Sequence, residues 1–225
     1  MESFPPGENV PIKSLPESEP MKTHYIVVVL GSPRVGKTAI VQQFLYETFP
    51  TDYKATVEEF HRSQFDMDHF VLTLDILDTS GSYEFPAMKR LAVSTGDAFV
   101  LVYSIDDAES FEEVRREREL VLETRPRNIP IVVVGNKCDL EDHRMVGKEL
   151  AESVVTMDWE NGFIEASAKT STNVFEIFNE LLVQAHAPGE LSACLERRRQ
   201  SVPAFSVTPK VKDDLALKRH SCVMS

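Results

Sequence analysis

The residues most clearly fit for chemistry are Gly31-Ser32-Pro33-Arg34-Val35-Gly36-Lys37-Thr38, directly after the apolar run Tyr25–Leu30. Two glycines framing a loop, then Lys and Thr, match the P-loop pattern between a buried strand and a helix. Glycine reaches positive φ without steric cost, so such a loop can wrap a phosphate. Its successive N–H groups form an anion nest, and the following helix N-terminus adds partial positive charge. Lys37 is expected at the β- and γ-phosphates, and the Thr38 hydroxyl on Mg²⁺. The pattern implies a nucleoside triphosphate and leaves the base open.

Three further segments narrow that choice. Asp78 ends the apolar strand LTLDILD, about 40 residues beyond the loop, before Thr79-Ser80-Gly81. A strand-end Asp serves equally as a turn former or helix cap. Beside a P-loop it suits a Mg²⁺-holding carboxylate, with the Gly81 N–H near the γ-phosphate. Asn136-Lys137-Cys138-Asp139 follows the buried run Ile131–Gly135. The Asp139 carboxylate can accept from guanine N1–H and its 2-amino group, whereas adenine would leave that charge unpaired. A simple strand-end turn is the alternative for this tetrapeptide. Ser167-Ala168-Lys169, within EASAK, follows another short apolar stretch and can offer backbone N–H to the guanine carbonyl.

Elements that would position these loops are legible. Tyr25–Leu30, Asp97–Ile105 and Ile129–Gly135 read as buried parallel strands, and helical spacing falls between them. Residues 57–67 and 69–78 read as a hairpin with its turn near Met67–Asp68. Asn173 and Glu176 fit a capping box opening a helix with Val174, Ile177, Phe178, Leu181, Leu182 and Ala185 on its apolar face, stopped at Pro188-Gly189. The fold class is α/β: a mostly parallel sheet with one antiparallel edge strand and loops at strand C-termini, where open sheets bind ligands.

Composition sets outer bounds. The net charge of −12 argues against nucleic-acid binding, which needs a basic footprint. Three scattered cysteines, Cys138, Cys194 and Cys222, suit neither a disulfide framework nor a zinc site. No basic stretch leads into an apolar run near the N-terminus, so no secretory signal is expected. Residues 1–22 hold five prolines and are expected to be a disordered extension; 23–188 form the folded domain; 189–225 form a second disordered segment. From Glu190 the chain carries seven Lys/Arg against four Asp/Glu and ends Cys222-Val223-Met224-Ser225. That tetrapeptide matches a C-a-a-X box, with the terminal Ser favouring farnesyl on Cys222. One lipid anchors weakly, so the basic tail is expected to add attraction to an anionic membrane surface.

On these residues the chain resembles the Ras superfamily of small GTPases, Ras branch. LDILDTSG and FPAM are similar to the Dexras/Rhes and Di-Ras group. The resemblance covers roughly Tyr25 to Ala187 and the last four residues. It implies a P-loop NTPase-type G domain with a six-stranded sheet and helices on both faces, binding GTP or GDP with Mg²⁺. The phosphate cradle would draw on backbone N–H groups of Arg34, Val35, Gly36, Lys37, Thr38 and Ala39. Phe49 would stack on guanine. Tyr53 and Thr56 would lie in the first switch loop, with Thr56 sensing Mg²⁺ and γ-phosphate. Asn136, Lys137 and Asp139 would recognise the base. Effectors would bind through residues 53–60 and a second switch from Thr79 to about Leu91. An exchange factor, a GTPase-activating protein and farnesyltransferase are the other implied partners. The cytoplasmic face of a membrane, the plasma membrane foremost, is the expected location, with a cytosolic fraction.

Two departures concern hydrolysis, in which Lys37, Thr56, Gly81 and the residue after Gly81 would take part. The family's water-positioning Gln is here Ser82, whose hydroxyl is much shorter. Pro33 stands where Ras has the glycine nearest the γ-phosphate. Intact nucleotide binding and slow hydrolysis are expected, since this chemistry is mostly positioning and electrostatics. A binding module that stays GTP-loaded is the alternative.

Overall fold

Uninterrupted β-branched runs cannot leave either face of a strand in water, and here neither face is. The computed structural model describes residues 22–67, 69–81, 86–126, 128–188 and 191. Six strands form one sheet in the order β2-β3-β1-β4-β5-β6. They are β1 (His24–Leu30), β2 (Glu58–Met67), β3 (Phe70–Thr79), β4 (Ala98–Ser104), β5 (Ile131–Asn136) and β6 (Gly162–Glu165). The β2–β3 pair is the expected hairpin, antiparallel from Glu58 opposite Thr79 to Met67 opposite Phe70. The other pairings are parallel. Every residue of β4 and β5 is buried.

Side chains alternate between two cores, as a period of two requires. Val27, Val29, Val100, Val102, Val132 and Val134 face one layer with α1 (Lys37–Tyr46) and α5 (Val174–Gln184). Phe44 of α1 stacks on Phe178 of α5, with ring centroids 3.8 Å apart. Val28, Leu30, Phe99, Leu101, Ile131 and Val133 face the opposite layer. That layer holds residues of α2 (Pro86–Thr95), α3 (Ala108–Thr124) and α4 (Lys148–Ser153). Asp107 caps α3 by accepting from the N–H groups of Glu109 and Ser110. A part-buried ion pair ties α2 to α3: Lys89 Nζ lies 2.5 Å from Glu117 Oε1. Burial pushes the Glu117 carboxyl above its ordinary range, with Lys89 opposing.

Two expectations are corrected. Asn173 does precede α5, but it makes no capping box. It is left-handed (φ 54°) with no side-chain cap bond. Its amide instead donates to the Glu165 carbonyl at 2.8 Å, fastening the helix start to the end of β6. Helix α5 ends at Gln184, with Ala185 as its cap, before Pro188 is reached. Lys22 pairs with Asp97 at 2.5 Å and lies over the Tyr25 ring. No helix among the described residues is long and apolar enough to cross a membrane.

Candidate functional site

Each parallel strand delivers its following loop to the same edge of the sheet, and the predicted segments meet there. The loop after β1 turns tightly because Gly31 (φ 141°) passes β4: a Cβ at Gly31 would lie 2.1 Å from the Val102 carbonyl oxygen. Gly36 (φ 99°) caps α1, and a Cβ there would lie 2.2 Å from Asn136 Nδ2. Arg34 is also left-handed, φ 63°. The loop folds around Lys37, which is buried and donates to the carbonyls of Gly31 (2.8 Å) and Ser32 (2.9 Å). Burial pulls the Lys37 ammonium down to about 8, against the pull of Asp78 and Glu117.

Thr38, Thr56 and Asp78 converge beside it. Thr38 Oγ1 donates to Asp78 Oδ2 at 2.5 Å and lies 2.8 Å from Thr56 Oγ1. Its one proton goes to the carboxylate, so Thr56 donates to Thr38. Asp78 is fully buried, and its Oδ1 has no hydrogen-bond partner among the described residues. Burial pushes its carboxyl up, more than Thr38 and Lys37 pull it down. An orphaned carboxylate oxygen beside two hydroxyls suits a hard divalent cation such as Mg²⁺. The described residues hold no group of three His, Cys, Asp or Glu able to bind metal alone. One carboxylate with hydroxyls is what Mg²⁺ takes when substrate phosphates supply other ligands.

The loops holding Asn136 and Ala168 are locked to the phosphate loop through Asn136. Its Nδ2 donates to the Val35 carbonyl at 2.7 Å, and its Oδ1 accepts from the Ala168 N–H at 3.2 Å. Ser167 Oγ donates to Asp139 Oδ1 at 2.6 Å, and Lys169 Nζ stands 3.9 Å from Asp139 Oδ2. Lys137 is left-handed and reaches Asp106 at 3.4 Å. Arg144 braces the assembly, bidentate to both Glu141 and Glu165. Such forks fix geometry as well as charge.

These segments line one cavity of about 840 Å³, within the size range of ligand sites. Arg34, Gly36, Lys37, Thr38, Ala39, Phe49, Tyr53, Thr56, Gly81, Asn136, Lys137, Asp139, Ala168 and Lys169 all line it. Gly31, Val35, Asp78 and Ser167 stand behind the lining, holding those that do. Phe49 and Tyr53 are exposed on the outer wall. Gly81 touches the phosphate loop: a Cβ there would lie 2.4 Å from Pro33 N and 2.6 Å from its Cα. Ser82, next in sequence, and Cys222 lie outside the described residues. Sequence reasoning missed the side chains of Arg34 and Asp106. Arg34 was read for its N–H alone, yet its guanidinium lies over the Tyr53 ring. No spacing rule joins residues 19 apart across a loop.

Comparison with known proteins agrees with this geometry. The profile of the Ras family matches residues 26–187. GTP-binding protein Rhes of Homo sapiens is 43% identical over 191 residues, covering 80% of this chain and 72% of that protein. Its counterparts in Mus musculus and Rattus norvegicus are each 42% identical over 189 residues, covering 80% of this chain and 71% of theirs.

Proposed function

We propose, for a chain that belongs to the Ras family, a guanine-nucleotide switch that hydrolyses GTP slowly and is tethered to a membrane by its tail. The observation that carries this reading is the single cavity joining the Lys37 loop, Thr56, and the Asn136 and Ala168 segments. Phosphates would sit against the N–H groups of residues 34–39 and the Lys37 ammonium. Guanine would present its N1–H and 2-amino group to Asp139, whose carboxylate Ser167 already orients. Thr38, Thr56 and Asp78 would hold Mg²⁺, which would neutralise phosphate charge.

Hydrolysis needs a positioned water, and the residue type with which the family positions it is replaced here. Ser82 supplies a hydroxyl where the family uses Gln. Pro33, against which Gly81 packs, fills the corner by which a partner's arginine would approach. Effectors would read residues 53–60 and the second switch. Exposed Tyr53, Val57 and Phe60 offer that surface apolar contact. An exchange factor and a GTPase-activating protein would set the cycle.

The Gly81–Pro33 contact favours a second reading, a module that stays GTP-loaded and is governed by abundance or location. Single-turnover hydrolysis with and without cell extract separates the two. Acceleration by extract supports the cycling switch, and an unchanged rate supports the loaded module.

Tethering rests on the CVMS sequence and the basic residues before it. Farnesyltransferase would modify Cys222, and the cations would add attraction to anionic lipid. Cys222→Ser is expected to shift the chain from membrane to soluble fractions. Retention of the variant on membranes, at the level of the unmodified sequence, contradicts lipid anchoring.

A further inference from the structure

The first switch loop, residues 51–57, contains no regular helix or strand. Two side-chain contacts among the described residues join it to the phosphate-loop side of the cavity. One is Thr56 to Thr38, at the residues suited to Mg²⁺. The other lies outside that group: the Arg34 guanidinium stands 5.1 Å from the centroid of the Tyr53 ring. Both residues line the nucleotide cavity, and both are exposed to solvent. A guanidinium at that distance from a tyrosine face is within cation–π range.

The backbone explains how one residue serves both sides. Arg34 is left-handed at φ 63°, the conformation that alternates with right-handed residues in an anion nest. A non-glycine residue pays for this conformation, and glycine would serve the nest alone at no cost. What the arginine adds is a side chain that crosses to the first switch.

We propose that Arg34 is a positioning residue that clasps the first switch loop over the phosphate end of the cavity by stacking on Tyr53, and so slows nucleotide release. The inference rests on the guanine-nucleotide reading above. The guanidinium has two attractions, the Tyr53 ring on one side and bound phosphate charge on the other. Release of nucleotide requires the loop to lift, and lifting breaks the stack. The clasp acts through Tyr53 and independently of the Thr38–Thr56 contact.

The test is the dissociation rate of a fluorescent GDP analogue chased with excess unlabelled GTP, in Mg²⁺ buffer, on the full chain. Arg34→Ala and Tyr53→Leu are each expected to raise the rate about two- to fivefold, the factor an exposed cation–π pair supports. The double variant is expected to release no faster than the faster single variant. Tyr53→Phe, which keeps the ring face, is expected to restore the slow rate. Singles that multiply in the double variant, or a Tyr53→Phe as fast as Tyr53→Leu, overturn the clasp while leaving guanine binding standing. A wild-type chain that takes up no fluorescent GDP overturns the guanine reading, and the clasp with it.

Discussion

Asp139→Asn is expected to weaken GTP and GDP binding on the order of 10³-fold or more, while the chain remains folded. Asp139 lines the cavity, and Ser167 Oγ fixes one of its oxygens at 2.6 Å. Guanine offers two adjacent donors to this carboxylate. An asparagine amide meets one of those donors with its own N–H, and leaves buried polar groups unpaired. Sites built on such pairing discriminate by about 10⁴–10⁵, and the substitution reverses the pairing at one position. Xanthine carries a carbonyl where guanine has the 2-amino group, so xanthosine nucleotides should gain what guanosine nucleotides lose. Competition binding with GTP, XTP and ATP measures all three. Guanine preference surviving the substitution, or ATP competing as well as GTP on the wild type, would contradict the assignment.

Gly36→Ala should cost somewhat less, by a different route. Its φ of 99° is strained for any side chain, and the new Cβ would stand 2.2 Å from Asn136 Nδ2. Asn136 must then move. It bonds the Val35 carbonyl at 2.7 Å and the Ala168 N–H at 3.2 Å, and both bonds go when it moves. Left-handed strain of about 1–2 kcal/mol and two hydrogen bonds at about 1 kcal/mol each sum to about 3–4 kcal/mol. That is on the order of 10²- to 10³-fold in affinity. Titration with fluorescent GDP, beside a thermal melt to confirm folding, checks it. Affinity within tenfold of wild type means that Asn136 does not couple the phosphate loop to the base-reading segments.

The two substitutions show how unevenly the sequence reveals the site. Lys37, Thr38, Asp78 and Asp139 were legible as candidates because the chemistry proposed for them needs those residue types in the segments that follow strands. The buried strands were legible because β4 and β5 are covered on both faces and tolerate only apolar residues. Asn136 was legible as a candidate cavity residue, but not as the strut between two loops, because its partner Val35 is 101 residues away. The same holds for Gly81 against Pro33: contact between loops from β1 and β3 has no local pattern. Arg34 followed a different logic. Its side chain matters through a ring that only the folded first switch brings near. Asn173 misled because a residue type favoured at helix starts was used in left-handed form to bind the Glu165 carbonyl at the end of β6. Helix α4, six residues long, is too short to build a period.

The chain belongs to the Ras family of small GTPases, and on the proposed function it holds its nucleotide well and cleaves it slowly. On the proposed function Ser82 and Pro33 would both act on hydrolysis, and Gly81, which precedes Ser82, packs on Pro33. Pre-loading the purified chain with GTP and following phosphate release in a single turnover tests this most directly. The expected rate lies below the roughly 3–5 × 10⁻⁴ s⁻¹ of intrinsic Ras hydrolysis, and Ser82→Gln is expected to raise it. A rate at or above that value, unmoved by Ser82→Gln, would contradict slow cleavage through Ser82.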